Sequence, residues 1–254
     1  MIGKGKAVSH TANAIEYAKE KLNAVEIDRN LVAGKTPEEI SKEFEVFQNM
    51  NTRCEKDTFS FVVSPSIEDG KKLSKEDFQD IAKDFMKELD LDKNQYIAYL
   101  HTDKEHSHLH IFCNRIDEKG KAMKDNYIGK RSRRAAEKIA KERNFTLAKD
   151  VQKQKIVDLQ PKVEKAHKIA LEQTPKNIAE YSKLMEKQGV KVHPKISNAN
   201  KCVGMKFQVG EKMIKGSALG KMFSGMRIET AIINQVAKVM KINKDKSKGL
   251  DISL

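Results

Sequence analysis

The chain has 254 residues, of which 39% are hydrophobic and 33% charged, with no tryptophan and a formal net charge of +13. No stretch approaches the roughly 18 consecutive apolar residues of a membrane span, and the N-terminus MIGKGKAVSH lacks the apolar run of a signal peptide. Cys54, Cys113 and Cys202 form no CxxC pair, which argues against a disulfide framework or a structural zinc knuckle and leads us to expect a cytoplasmic protein without membrane insertion.

The positive charge is uneven. Residues 1–118 hold 17 Lys+Arg against 23 Asp+Glu, a balance of −6; residues 119–150 hold 11 against 4, or +7; residues 151–254 hold 21 against 9, or +12. A basic second half of this kind points to a polyanion, most simply nucleic acid.

In chain order, Met1–Lys6 reads as an extended lead-in. Thr11–Leu22 reads as a helix capped by Ser9 or Thr11, with Ile15, Ala18 and Leu22 as its apolar stripe. Tyr17 lies off that stripe by about 100° or more, which leaves it available to face a cleft. Asp28–Lys35 reads as a loop. Thr36 caps a second helix with Pro37 at its first position, running through Ile40, Phe44 and Phe47 to about Asn49. A polar connection with Asn51, Arg53 and Lys56 leads to a buried strand at 57–63. Ser74 opens a capping box ahead of an amphipathic helix with Phe78, Ile81, Phe85 and Leu89 on one side.

Two strands follow, Gln95–Leu100 and a run containing LHIFCN; residues 114–121 read as a turn into an edge strand. From Lys130 a basic helix begins, and Arg131, Arg133 and Arg134 at its start are suited to phosphates. The pattern weakens between 144 and 160, which places a domain boundary near 150. Beyond it we expect helices at 161–172 and 175–188, a hairpin of 202–209 and 212–214 turning at Gly210, a loop at 215–220, a helix at 227–241 and a disordered tail at 242–254. There is no internal repeat and no P-loop.

The chemistry concentrates in His101-Thr-Asp-Lys-Glu-His-Ser-His-Leu-His-Ile-Phe-Cys-Asn114, which holds four of the seven histidines. Side chains on a strand alternate faces, so His108 and His110 point the same way, and the preceding strand delivers His101 across a short loop. Three imidazoles so placed converge on one divalent metal and leave positions open for a substrate. Asp103 and Glu105 are close enough in sequence to orient a ring N–H or take a proton. His106 shares the parity but precedes the apolar run. A metal-dependent nuclease working through activated water and a non-catalytic DNA-binding module are the competing readings of these features.

The histidines, the tyrosine and the charge together resemble relaxases, the mobilisation nucleases of plasmids and integrative elements, within the wider group of HUH endonucleases. The resemblance rests on His108-Leu-His110 inside the run from His101-Thr-Asp to Asn114. Ala14-Ile-Glu-Tyr17, Asn49-x-Asn-x-Arg53, Asn114-Arg-Ile-Asp-x-x-Gly120 and the Arg-Ser-Arg helix support it. It is strongest to about residue 148 and looser through Gly189-Val and Lys215-Gly-Ser-Ala-Leu-Gly220. It implies an α+β fold, a central, mostly antiparallel sheet flanked by helices over residues 1–150. Residues 151–254 are then a smaller, basic α+β DNA-binding extension.

The resemblance also implies site- and strand-specific nicking of single-stranded DNA at an origin of transfer, to start conjugative mobilisation. Tyr17 is then the nucleophile, with His10 as the alternative, giving a 5′-phosphotyrosine and a free 3′-OH. His101, His108 and His110 hold Mg²⁺ or Mn²⁺, with Zn²⁺ or Ni²⁺ possible in a purified sample, and Asp103 assists. Arg53, Asn114, Arg115, Lys130, Arg131, Arg133 and Arg134 contact DNA. An adjacent hairpin or duplex, an accessory mobilisation protein and a coupling protein are the further partners implied.

Overall fold

A computed structural model describes residues 1–21, 23–102 and 106–250, the side chains of 238–250 excepted. The chain divides into two units, residues 1–150 and 151–254.

The first unit is built on a five-stranded antiparallel sheet in the order β1-β3-β5-β4-β2, formed by Ile2–Val8, Thr58–Ser64, His108–Asn114, Tyr96–His101 and Val25–Asn30. The period-two pattern of the strands decides what each face meets. Phe59, Phe61 and Val63 of β3, Leu109 and Ile111 of β5, and Ala98 and Leu100 of β4 share one face. Beyond the single-turn α3 (Ile67–Gly70), they pack against α4 (Lys75–Glu88) through Phe78, Ile81 and Phe85, and α5 (Ile128–Glu142) through Ala136, Ile139 and Ala140. On the other face Ile97, Tyr99 and Phe112 meet Ile15 and Ala18 of α1 (Thr11–Lys19) and Ile40 and Phe44 of α2 (Pro37–Gln48). The fold is α+β, and its central strands are covered on both sides.

Helix starts follow their caps. Thr36 accepts from Glu39 N while the Glu39 carboxylate takes the Thr36 N–H, with Pro37 at the first turn. Ser74 and Asp77 form the same reciprocal box.

Several elements depart from expectation. The lead-in is the edge strand β1, and the first residues of the expected loop after Asp28 belong to β2. The first helix ends at Lys19, before Leu22, which is outside the described residues; His10, not Ser9 or Thr11, occupies its N-cap position. After Asn114 only an isolated bridge, Ile116 to Ala122, takes the place of an edge strand.

The Gly-Lys-Gly-Lys alternation explains β1. Gly3 and Gly5 face α5 at close range: a Cβ on Gly3 would overlap the Ser132 carbonyl oxygen and sit 2.7 Å from Ala136 Cβ. Overpacking of this kind costs about 1–3 kcal/mol. Gly3→Ala is therefore expected to lower the melting temperature by roughly 3–10 °C. Gly70→Ala, where the nearest atom to a new Cβ is 3.8 Å away, is the control in a thermal melt followed by circular dichroism.

The second unit has a three-stranded antiparallel sheet, β6-β7-β8, from Lys191–Ile196, Cys202–Val209 and Lys212–Lys215. One face buries Val192, Met205, Phe207 and Ile214 against Val163 and Ala170 of α6 (Ala148–Glu172), Tyr181 and Met185 of α7 (Ile178–Lys187) and Ile228 and Ile232 of α9 (Gly225–Leu250). Where we expected weak structure and then a helix from 161, α6 runs from Ala148 to Glu172 with Pro161 inside it. Its buried residues Leu159 and Val163 flank the proline and hold both halves to the core. Strand β6 was not anticipated; it lies at the edge of the sheet, where Pro194 is tolerated. Residues 216–219 are a short helix, α8, rather than loop. Helix α9 spans Gly225–Leu250, so the backbone at 242–250 is helical where a disordered tail was expected. Lysines, frequent there, are good helix formers; 251–254 lie outside the described residues.

Candidate metal centre

Strand pairing brings the histidines together. His101, the last residue of β4, lies directly opposite His108, the first of β5, and Tyr99 lies opposite His110. Two residues along β5 return the side chain to the same face, so His101, His108 and His110 project from neighbouring strands in the middle of the sheet. Their ring centroids are 4.4 Å apart for His101–His110, 5.1 Å for His108–His110 and 5.2 Å for His101–His108. One nitrogen from each lies within 4.8 Å of the others. Nitrogens about 2.0–2.2 Å from a shared ion stand roughly 3–3.5 Å apart, so small rotations close the triad. His101 is fully buried, His108 nearly so, and His110 is half-buried, giving the cluster one accessible side.

His108 Nδ1 lies 3.4 Å from the His106 carbonyl oxygen. In the tautomer that donates there, Nε2 is the ligand atom. The His106 ring is 6.0 Å from that of His108, farther than any pair in the triad. The donor set fits a borderline divalent ion: imidazole suits Zn²⁺, Ni²⁺ and Cu²⁺, whereas Mg²⁺ and Mn²⁺ favour oxygen and would draw further ligands from phosphate or water. Asp103 and Glu105 lie outside the described residues.

The triad shares its face with the helix that carries Tyr17. His101 and His110 have the strand parity of Ile97, Tyr99 and Phe112, the residues that pack under α1. The helix is pinned at its start by Thr11 Oγ1, 2.6 Å from Thr58 Oγ1, at the end of the sheet away from the histidines. After α1 the chain enters β2 at Val25, opposite Leu100 and so next to His101. Between Thr11 and Tyr17 the helix advances about 9 Å toward the histidine end. Tyr17 is 65% exposed, and Lys21 Nζ lies 4.8 Å from its ring centroid. His10 is exposed at the opposite end of the helix.

The other tyrosines are differently placed. Burial and the Asp28 carboxylate, 2.6 Å away, hold the Tyr96 phenol well above its usual range. Burial pushes Tyr99 up to about 12 and raises Tyr181, whose hydroxyl lies 2.8 Å from His167 Nδ1. Tyr127 is exposed but precedes α5, on the other face of the sheet.

The residues expected at the DNA are scattered. Asn114 is fully buried: its amide donates to the Phe44 carbonyl and to Gln95 Oε1, and its Oδ1 accepts from Ile116 N. Arg115 is buried too, with its guanidinium on the Met123 and Lys56 carbonyls and 3.3 Å from Asp125. Both are thus bonded into the β5 exit, with little side-chain surface exposed. Arg131 donates to the Lys124 and Leu89 carbonyls. Lys130, Arg133 and Arg134 are exposed, but α5 covers the face opposite the histidines. Arg53 is exposed beyond α2, at the end of the sheet remote from the triad.

Two cations on the histidine face were missed. Lys4 pairs with Val62, which pairs with His110, and Lys6 pairs with Ser60, which pairs with Phe112. Lys4 and Lys6 thus share the histidine parity, and both are exposed. The available signal was the Gly-Lys alternation itself, which is strand-like once the glycines are read as the side pressed against a helix.

A family model described as Relaxase: MobA/VirD2-like, nuclease domain matches residues 12–145. No curated protein and no solved structure matches the chain. Because the family match spans more than half of the sequence and encloses Tyr17 and all three clustered histidines, the chain belongs to the relaxases of the MobA/VirD2-like nuclease-domain family.

Proposed function

We propose that this relaxase nicks one strand of DNA at an origin of transfer by attack of Tyr17 on a phosphodiester, and so starts conjugative mobilisation. The observation that carries the reading is the three-histidine cluster on the sheet face under α1, the helix whose exposed side bears Tyr17. In the step, Tyr17 Oη gives up its proton and bonds to phosphorus as the P–O3′ bond breaks. The leaving 3′ oxygen takes a proton, so the products are a 5′-phosphotyrosine and a free 3′-OH, and the reverse reaction reseals the strand.

His101, His108 and His110 would hold the divalent ion. When bound, it supplies Lewis-acid polarisation of the non-bridging phosphate oxygens and a template for the attack. Neutral imidazoles leave its charge undiminished. Lys4 and Lys6, two strands away on the same face, would carry phosphates of the strand beside the scissile one. Among the described residues no helix is long and apolar enough to cross a membrane. Residues 151–254 would contribute DNA affinity, and an accessory mobilisation protein and a coupling protein would complete the assembly.

The reading is tested by incubating the protein with end-labelled single-stranded DNA from the origin of its own element, in Mn²⁺ or in EDTA, and resolving the products on a denaturing gel. A protein-linked band that forms in Mn²⁺ and not in EDTA is expected. Cleavage without such a band in either condition would overturn the tyrosine mechanism.

A further inference from the structure

We propose that the open face of the β6-β7-β8 sheet is a docking surface for the phosphate backbone of double-stranded DNA. The face is defined by register. Val192, Met205, Phe207 and Ile214 point into the core of the second unit. The alternate residues point outward: Lys191, His193 and Lys195 on β6, Lys206 and Gln208 on β7, Met213 and Lys215 on β8. His193, Lys206 and Lys215 stand in one cross-strand row, and Lys191 and Lys195 flank it. All four lysines are exposed. The three strands contain no Asp or Glu, and their fifth lysine, Lys212, is turned away to Asp158 at 2.6 Å. Among the described residues no ion pair is formed by these four lysines; four cations on one side of a small sheet repel one another, and a polyanion relieves that repulsion.

The shape of the patch favours a duplex over a single strand. Strands about 4.8 Å apart put Lys215 roughly 10 Å from β6, and four residues along a strand put Lys195 roughly 13 Å from Lys191. This is close to the ~12 Å width of the major groove between two backbones. A single strand exposes its bases, and proteins that hold it supply aromatic rings for stacking. Here Tyr181, Phe207 and Phe223 are all fully buried on the inner side, and among the described residues the outer face carries no aromatic ring beyond the His193 imidazole. That ring is itself tied down, its Nε2 being 2.8 Å from Gln208 Oε1. The surface has charge and little to stack on, which suits a partner whose bases are already stacked inside it. In the relaxase reading this partner is the duplex beside the nick region. The inference rests on the DNA part of that reading and not on the cleavage chemistry.

The test measures binding alone. The full chain, in EDTA so that metal-dependent cleavage is shut off, is titrated by fluorescence anisotropy with a duplex of about 20 base pairs and with a single strand of the same length, over a salt series. For a variant carrying Lys191→Gln, Lys195→Gln, Lys206→Gln and Lys215→Gln, the duplex slope of log K against log [salt] should be shallower by about 3–4. Its affinity near 0.15 M salt should be roughly 10²- to 10³-fold weaker. The pair Lys206→Gln and Lys215→Gln should give about half the slope change, and guards against misfolding of the fourfold variant. Lys153, Lys155, Lys165 and Lys168 on exposed positions of α6, all changed to Gln, remove equal charge elsewhere and should leave the slope within about one unit. Unchanged slopes in the sheet variants would overturn the proposal. So would an equal loss in the α6 variant, or a loss for the single strand as large as that for the duplex. A failed adduct assay with intact duplex binding would instead remove the tyrosine chemistry and leave this surface standing.

Discussion

Tyr17→Phe is expected to abolish the covalent protein–DNA band and to lower strand cleavage by roughly 10³-fold or more, the scale on which removal of an attacking group acts. The substitution deletes one oxygen from a side chain that is 65% exposed, and the ring that Lys21 Nζ approaches at 4.8 Å is retained. Folding should therefore be untouched, and an unchanged melting curve is part of the expected result. The alternatives separate cleanly on the gel. A band of full intensity in Tyr17→Phe would transfer the nucleophile to His10, whose phosphoramidate is acid-labile, or to exposed Tyr127. The buried phenols of Tyr96 and Tyr99 are the wrong groups for attack, since burial holds both above their usual range and keeps them from a strand. Cleavage at the wild-type rate with no band in either protein would mean an activated water.

The histidine cluster was legible because its rule is local. Alternation along one strand puts His108 and His110 on one side whatever the rest of the fold does. His101 needed only a hairpin between two apolar runs. Helices with strong caps and stripes, at Thr36 and Ser74, were legible for the same reason. What failed depends on partners remote in sequence. β1 has glycines that look like a flexible start, and only the approach of Ser132 and Ala136 shows why they are there. β2 ends in Asp28, Arg29 and Asn30, polar residues that read as loop until Tyr96 and Gln79 take the Asp28 carboxylate and Arg29 pairs with Glu26.

Asn114 and Arg115 were drawn to the DNA by their place in a motif. A motif does not distinguish a side chain that touches substrate from one that holds the strand carrying the ligands. Their buried hydrogen bonds show the second of these roles, in holding the end of β5. The basic helix from 130 is present as α5, but its place on the sheet was not legible. Arg133 and Arg134 are exposed on it, but the face of the sheet it covers is set by β1 packing, which no local pattern encodes.

His110→Ala carries the second large effect, and it separates a metal centre from a packed cluster of imidazoles. His110 is the least buried of the three, so its loss leaves the smallest hole; His101, fully buried, would confound binding with folding. Reducing three donors to two should weaken divalent-metal binding on the order of 10²-fold or more. Cleavage by the variant should then fall to the level that wild type shows in EDTA. Isothermal titration with Mn²⁺ reads the affinity directly, and a thermal melt supplies an independent check.

A ligand that binds only the folded state stabilises it by about 2.7 kcal/mol at a hundredfold excess over its Kd. Wild type should therefore melt several degrees higher in excess Mn²⁺, while His110→Ala should gain little at the same concentration. If Mn²⁺, Ni²⁺ and Zn²⁺ all left the wild-type melt unmoved, and EDTA left cleavage intact, the three rings would be packing partners. The positive charge at the phosphate would then have to come from Lys4 and Lys6, the cations that β1 places on the same face.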